Sequence, residues 1–391
     1  MNSVELFSGA GGLAMGIAQA GFKHSAIIER DEHACGTISA NQSLGSPHVS
    51  GWPLHRGDVS LFNYNAIKND VALLAGGPPC QPFSLGGKHK GNMDGRDMFP
   101  QFIRAVRELR PRAILVENVK GLLRKSFATY FEYIILQLSY PDIMRAQKES
   151  WQEHLARLER TRTKGSSGGL SYNIVFRLLN AADYGVPQRR ERVFIVGFRA
   201  DTGIEWSFPH PTHSRESLLW EQHKTGEYWD RHKISASKKP RWGRRELDSA
   251  KYADFGWTKP QWNAWRTVRD AISDLPDPRF GNNPARIANH GFNAGARIYP
   301  GHTGSPLDEP AKTLKAGGHG VPGGENMLLY PDGGVRYFTI REAARLQTFP
   351  DDYVISGSWS ESMRQLGNAV PVMMAEKIAV AIAGKLRKSR R

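Results

Sequence analysis

The stretch that most limits how this chain can fold is residues 71–84, Val-Ala-Leu-Leu-Ala-Gly-Gly-Pro-Pro-Cys-Gln-Pro-Phe-Ser. An apolar, β-type run from Val71 to Ala75 meets two glycines and then two prolines. Proline fixes φ and has no amide donor, so Pro78 and Pro79 must end a central strand in a rigid turn. In an open α/β sheet, a turn just past the carboxyl end of a strand is where ligands bind. Cys80 stands there, followed by the polar residues Gln81 and Ser84. Free cysteine is often a buried filler. Turn formers on both sides and polar followers point instead to a thiol presented as a nucleophile.

Other strand-and-turn units repeat this arrangement. Ser3 to Phe7 reads as a strand, then comes Ser8-Gly9-Ala10-Gly11-Gly12, then a helical pattern from Leu13 to Ala20 closed by Gly21. Backbone amides at such a helix start face a ligand anion, and glycines let it approach closely; a plain tight turn is the alternative. Ala26 to Ile28 makes the second strand, with Glu29 at its tip. An acid about 20 residues beyond a glycine turn takes ribose hydroxyls in Rossmann-type sites. Asp58, after Gly57, fits an adenine amino group at a third tip or is simply a turn aspartate. Ala113 to Val116 leads to Glu117-Asn118-Val119, one more carboxylate at a strand end. Gln188-Arg189-Arg190-Glu191-Arg192 feeds the apolar strand Val193 to Gly197, where mere solubility explains the arginines poorly.

Bulk properties narrow the partners. The 391 residues carry a formal net charge of +15 and a sequence pI of about 9.8, which implies a polyanionic partner. No apolar run approaches the roughly 20 residues needed to span a bilayer, and the first residues lack a secretory pattern. Two cysteines, Cys35 and Cys80, are too few for a disulfide framework or a cysteine-rich zinc site, so no metal is expected and the chain reads as reduced and intracellular.

Further elements fill the gaps. Leu85 to Arg96 is rich in glycine and positive charge, including Lys88, Lys90 and Arg96, and suits contact with phosphate. Met98 to Leu109 has core-helix spacing. Pro141 to Arg162 reads as an inserted amphipathic helix and residues 164–169 as a flexible linker. Seven of the ten tryptophans lie between Trp206 and Trp265 among lysines and arginines, a separate module in which most of the rings form its own core and the basic residues face nucleic acid. Thr339-Ile-Arg-Glu342 is a capping box opening a helix to Gln347. Gln365 to Pro371 precedes an apolar helix from Val372 to Ile382, and Lys385 to Arg391 reads as a disordered basic tail.

Pro79-Cys-Gln-Pro-Phe-Ser84, Phe7-Ser-Gly-Ala-Gly11, Glu117-Asn-Val119, Gln188-x-Arg190-x-Arg192 and Gln365-Leu-Gly-Asn-Ala-Val-Pro371 together resemble, in order, the motifs of the cytosine-C5 DNA methyltransferases. The resemblance implies an α/β, Rossmann-like S-adenosylmethionine-dependent methyltransferase sheet with a smaller, irregular target-recognition domain. Residues 1–200 would be catalytic, with an insertion at 141–169; residues 201–335 would recognise DNA, and 336–391 would return to the catalytic domain. It implies S-adenosyl-L-methionine held by Phe7, Ser8, Gly9, Ala10, Gly11, Gly12, Leu13, Glu29, Arg30, Asp58, Val59, Pro79, Asn368, Ala369 and Val370. Cys80 would be the nucleophile and Glu117 the acid at N3, with Arg190 holding the base at O2 and Arg192 orienting Glu117. Gln81, Ser84, Lys88, Lys90, Arg96, Thr313 and Leu314 would contact DNA. The implied setting is a bacterial cytoplasmic, nucleoid-associated monomer on double-stranded DNA, serving restriction-modification or phage defence beside a cognate endonuclease. A tRNA cytosine methyltransferase is the nearest rival, but that branch carries Cys-Phe-Thr, and neither cysteine here is followed by Phe-Thr. A catalytically silent DNA-binding relative is the other.

Overall fold

The computed structural model describes residues 1–79, 97–165, 169–239, 259–281, 287–317 and 326–389. Strands β1 (Asn2–Leu6), β2 (Lys23–Glu29), β3 (Leu54–Arg56), β4 (Val71–Gly76), β5 (Ala113–Val119), β6 (Tyr172–Asn180) and β7 (Glu191–Arg199) form one sheet in the order β3-β2-β1-β4-β5-β7-β6. β1 to β5 run parallel, whereas β7 is antiparallel to both β5 and β6. Because β2 and β3 lie on one side of β1 and β4 and β5 on the other, the strand order reverses between β1 and β4. A crevice opens at the carboxyl ends of strands at such a point.

The longer helices of the first half are α1 (Gly12–Gln19), α2 (Glu32–Ser43), α3 (Phe99–Leu109), α4 (Ala128–Ser139) and α5 (Trp151–Lys164). Short helices α6 (Arg215–Trp220), α7 (Glu227–Arg231) and α8 (Val268–Ile272) follow, then α9 (Ile340–Leu346), α10 (Trp359–Asn368) and α11 (Val372–Lys388). Alternate strand residues serve opposite faces. Leu6, Leu74 and Val116 pack beneath α3 and α4, while Leu73, Leu115 and Val196 pack beneath α1 and α11. Burial on both faces explains why these strands read as nearly unbroken apolar runs. The segment Trp359–Lys388 is apolar enough to pass for a membrane span by composition, but 67% of its most apolar window is buried within the protein. Gly16 lets α11 touch α1: a Cβ there would lie 2.5 Å from that of Ala375.

Several boundaries differ from the sequence reading. β5 does not stop at Val116. Its pairing with β4 ends there, but β7 continues the ladder to Val119↔Arg192, so Glu117 and Arg192 both lie within strands. The helix expected from Pro141 begins only at Trp151, because Ser150 and Glu153 form a capping box. The supposed tail from Lys385 is helical through Lys388, held by Leu386, which is fully buried; residues 390–391 lie outside the described residues. α9 opens on the Thr339/Glu342 capping box as the sequence indicates.

Beyond residue 200 the elements are short. Trp229 is buried with Leu218 and Tyr228, and Trp206 packs on Phe198 and Phe208, whereas Trp262 is 47% exposed. Trp242 and Trp257, with Arg241, Arg244, Arg245 and Lys251, lie outside the described residues. Val268, Leu314 and Leu328 share a core with Ala14, Phe338 and Leu346.

Candidate active site

The loop after β1 is built on backbone angles that side chains resist. Phe7 has φ +57°, Gly9 +54° and Gly11 +89°. A phenylalanine in the left-handed region is costly and persists only where the surrounding structure holds it. The turn is held from below and from the side. Phe7 N donates to Ile28 O at 3.0 Å, and Gly9 N donates to Glu29 Oε2 at 2.7 Å. Glu29 Oε1 also accepts the amides of Arg30 and Asp31, each at 2.8 Å. A carboxylate has about four acceptor positions, so Glu29 retains capacity for another donor. Gly12 presses on the C-terminal segment, since a Cβ there would lie 2.3 Å from Val370 O. Ala369 and Val370 are thereby set beside the turn, and Asn368 precedes them as the last residue of α10.

Asp58 caps the turn Val59–Leu61 through Ser60 N at 2.8 Å and pairs with Arg30 at 3.1 Å. The Ser60 amide, more than the arginine, holds its carboxyl below the usual range. Ser8 Oγ is buried without a hydrogen-bond partner among the described residues. An orphaned hydroxyl, a left-handed turn braced by Glu29 and carboxylates at successive strand tips fit a ligand with ribose and amino groups and a cationic centre.

Glu117 lies in β5 just past the point where its pairing with β4 ends. It is 7% exposed, and Arg192 Nε meets its Oε1 at 3.0 Å. Burial pushes its carboxyl pKa up, and Arg192 and then Arg190 oppose that rise. The other oxygen faces the exit of β4: a Cβ on Gly77 would lie 3.3 Å from Glu117 Oε2. Asn118 Nδ2 donates to Pro78 O at 3.0 Å, which fixes the turn that delivers the chain to Cys80. Cys80, Gln81, Ser84, Lys88, Lys90 and Arg96 lie outside the described residues.

Two of the expected contacts take another form in the structure. Arg190 is fully buried and spends its guanidinium on backbone carbonyls: Leu314 O at 3.2 Å, Gly367 O at 2.7 Å and Ala369 O at 2.9 Å. With those contacts Arg190 ties separate segments together, while its Nε is buried without a hydrogen-bond partner among the described residues. Leu314 is 1% exposed, so its side chain offers DNA no surface. Thr313 Oγ1 donates to Arg189 O at 2.7 Å, and Leu314 N donates to Gln188 Oε1 at 3.0 Å. The Thr-Leu pair is thus a clasp onto the Gln-x-Arg-x-Arg segment.

The sequence reading passed over Gln188, Asn118 and Gln347. Gln188 Nε2 donates to Leu346 O at 3.2 Å, and Gln347 Nε2 to Leu366 O at 2.6 Å. The signal for Gln188 was the two-residue spacing of 188, 190 and 192, which in extended chain sends alternate side chains to one face. Arg189 and Glu191 point elsewhere, to Glu309 and Lys120.

The family model for C-5 cytosine-specific DNA methylase matches residues 1–141 and 164–384. The chain belongs to that family. This methylase is 31% identical to the type II methyltransferase M.PspPI of Psychrobacter sp. (strain TA137), over 97% of this chain and 78% of the relative. It is also 31% identical to M.Eco47II of Escherichia coli, over 98% and 79%. In fold it resembles an E. coli prophage-encoded protein described as a putative DNA modification methyltransferase, with TM-score 0.56, 23% identity and 99% of both chains covered. The Dnmt2 methyltransferase of S. pombe gives TM-score 0.55 at 16% identity, over 99% of both chains, a likeness of fold alone. The methylase is a DNA (cytosine-5-)-methyltransferase whose methyl donor is S-adenosyl-L-methionine.

Proposed function

We propose that this methylase modifies one cytosine in a specific double-stranded DNA sequence through a covalent bond between Cys80 Sγ and C6 of the base. The observation that carries the reading is Glu117: a buried carboxyl pinned by Arg192, facing Gly77 across the strand end that leads to Cys80. A cytosine cannot meet these groups inside the duplex and is flipped out, at a cost of a few kcal/mol. Cys80 as thiolate adds to C6 while Glu117, whose carboxyl pKa burial raises above its ordinary value, shares a proton with N3. C5 is then enamine-like and nucleophilic. S-adenosyl-L-methionine, when bound, supplies the sulfonium methyl that C5 takes. A base, for which water serves, then takes the C5 proton, and the electron pair expels the thiolate from C6 and frees the product.

In this reading the donor lies on Phe7, Ser8, Gly9, Ala10, Gly11, Gly12 and Leu13, with Glu29 and Arg30 on its ribose side and Asp58 and Val59 at the adenine. Pro79, Asn368, Ala369 and Val370 close the pocket. Residues 201–335 read the DNA sequence. The type II relatives support a restriction-modification or phage-defence role beside a cognate endonuclease. The enzyme then works as a monomer in the bacterial cytoplasm, on the nucleoid. The test is a DNA duplex carrying 5-fluorocytosine at the target, incubated with donor. A denaturation-stable protein–DNA adduct is expected from wild type and none from Cys80→Ala, which still binds donor. Adduct formation by Cys80→Ala overturns the assignment.

A further inference from the structure

The elements assigned to the methyl donor close into a ring. Gly9 N donates to Glu29 Oε2 at 2.7 Å, and Glu29 Oε1 accepts the Asp31 amide at 2.8 Å. Asp31 is the N-cap of α2, its Oδ1 accepting Ala34 N at 2.9 Å. Its carboxylate also meets Arg364 of α10, whose Nη2 lies 2.9 Å from Oδ1 and 2.8 Å from Oδ2. α10 ends at Asn368, and Val370 then presses on Gly12, which returns the path to the glycine turn.

Two contacts join α2 to α10, and they differ in kind. Thr37 Oγ1 donates to Gln365 Oε1 at 2.7 Å and accepts Ser356 N at 3.0 Å, with both side chains buried. That clasp is neutral and does not involve Arg364. The ionic contact lies nearer the surface, with Asp31 and Arg364 each about a third exposed. Arg364 is also shared: its Nε donates to Glu361 Oε2 at 2.9 Å, and His33 Nε2 lies 3.8 Å from the same oxygen. An isolated exposed ion pair is worth little, but a carboxylate gripped through both oxygens within a charge network is worth more.

We propose that Arg364 is a positioning residue for the methyl donor: through Asp31 it holds the Glu29 side of the pocket at a fixed distance from the Asn368–Val370 side. The proposal rests on the reading that the donor lies between those two segments. A preformed site spares a ligand the cost of ordering it, so loosening the ring lowers affinity and leaves the chemistry of the bound complex alone. The donor carries a net positive charge and its demethylated product, S-adenosyl-L-homocysteine, carries none, which separates positioning from a field effect. Arg364→Met removes the cation and keeps a good helix former. A field effect would tighten donor binding and leave the product unchanged. Positioning weakens both ligands in calorimetric titrations, by about fivefold. The KM for donor should rise by the same factor, with kcat at saturating donor and the KM for DNA unchanged.

Asp31→Asn still caps α2 through Ala34 N, and it should weaken S-adenosyl-L-homocysteine as well. Once Arg364→Met is present, Asp31→Asn should cost no further affinity, since the Glu361 contact is lost in the single and double variants alike. Glu361→Gln leaves the pair with Asp31 in place and should bind as wild type does. Wild-type affinity for S-adenosyl-L-homocysteine in Arg364→Met overturns the proposal. So does a double variant whose loss is the product of the two single losses, or a loss in Glu361→Gln equal to that in Arg364→Met. Amide exchange tests the underlying reading separately: in wild type, S-adenosyl-L-homocysteine should slow exchange at residues 7–13, 29–31 and 368–370. No slowing there overturns the pocket reading and this proposal with it, whereas slowing there leaves the affinities to decide the proposal alone.

Discussion

Replacing Arg190 by methionine separates its two possible roles. The apolar side chain fills similar space but donates nothing to Leu314 O, Gly367 O and Ala369 O, which the guanidinium reaches at 2.7–3.2 Å. Hydrogen bonds from charged donors are worth about 1.5–3 kcal/mol each, giving a gross loss of roughly 5–9 kcal/mol for the set. Relief from burying a cation offsets several kcal/mol of this, leaving a net cost of about 4 kcal/mol. Unfolding entropy near 2.1 cal/mol/K per residue gives about 0.8 kcal/mol/K for 391 residues, so the melting midpoint should fall by about 5 °C. Circular-dichroism melts measure the shift, and donor titration at 20 °C should show weaker binding because Gly367 and Ala369 flank Asn368. Were the variant to melt with wild type and bind donor normally while losing methyl transfer, Arg190 would act on the base and the structural account would be wrong.

Two further outcomes follow from the buried ionisable groups. Arg192→Gln removes the nearest cation from Glu117, whose carboxyl burial already holds above its ordinary range. The acid should then keep its proton to still higher pH, so the alkaline fall of kcat moves upward even as the maximum drops; an unmoved limb in a pH–rate profile refutes the pairing. His24 is 4% exposed and held to about 4 from an ordinary 6.5, chiefly by burial. The unfolded chain takes up this proton below 6.5 and the folded chain not until about 4, so stability present above pH 6.5 is lost as pH falls between those values. At 1.36 kcal/mol per unit the effect is about 3 kcal/mol. His24→Gln should show that much less loss in urea melts from pH 7.5 to pH 4.5, and equal losses in both proteins contradict it.

Much of the site was legible because its residues sit at strand ends, where apolar runs stop at glycine, proline or an acid. Glu29 and Asp58 could be placed that way, and Glu117 by the end of its apolar run, although β5 itself continues to Val119. The ends of elements were harder, since partners distant in sequence decide them: β5 outruns β4 only because β7 continues beside it. The ties made by Arg190 were missed for a related reason. A charged residue before a buried strand signals use, but its acceptors lie 124, 177 and 179 residues further on. Leu314 shows the limit of motif reasoning, as a dipeptide can be kept for the backbone it offers and not for an outward side chain. The capping boxes at Ser150 and Thr339 look alike in sequence; only the second was read, because an apolar run follows it directly.

The tie at Arg190 also orders events during synthesis. Its side chain is made about midway along the polypeptide, whereas two of its acceptors, Gly367 and Ala369, come near the close. Until they are made, Arg190 has only Leu314 O of its three carbonyl acceptors to turn to. A chain interrupted before residue 367 would carry Arg190 buried without two of its three acceptors and should therefore be less stable than one carried past Ala369.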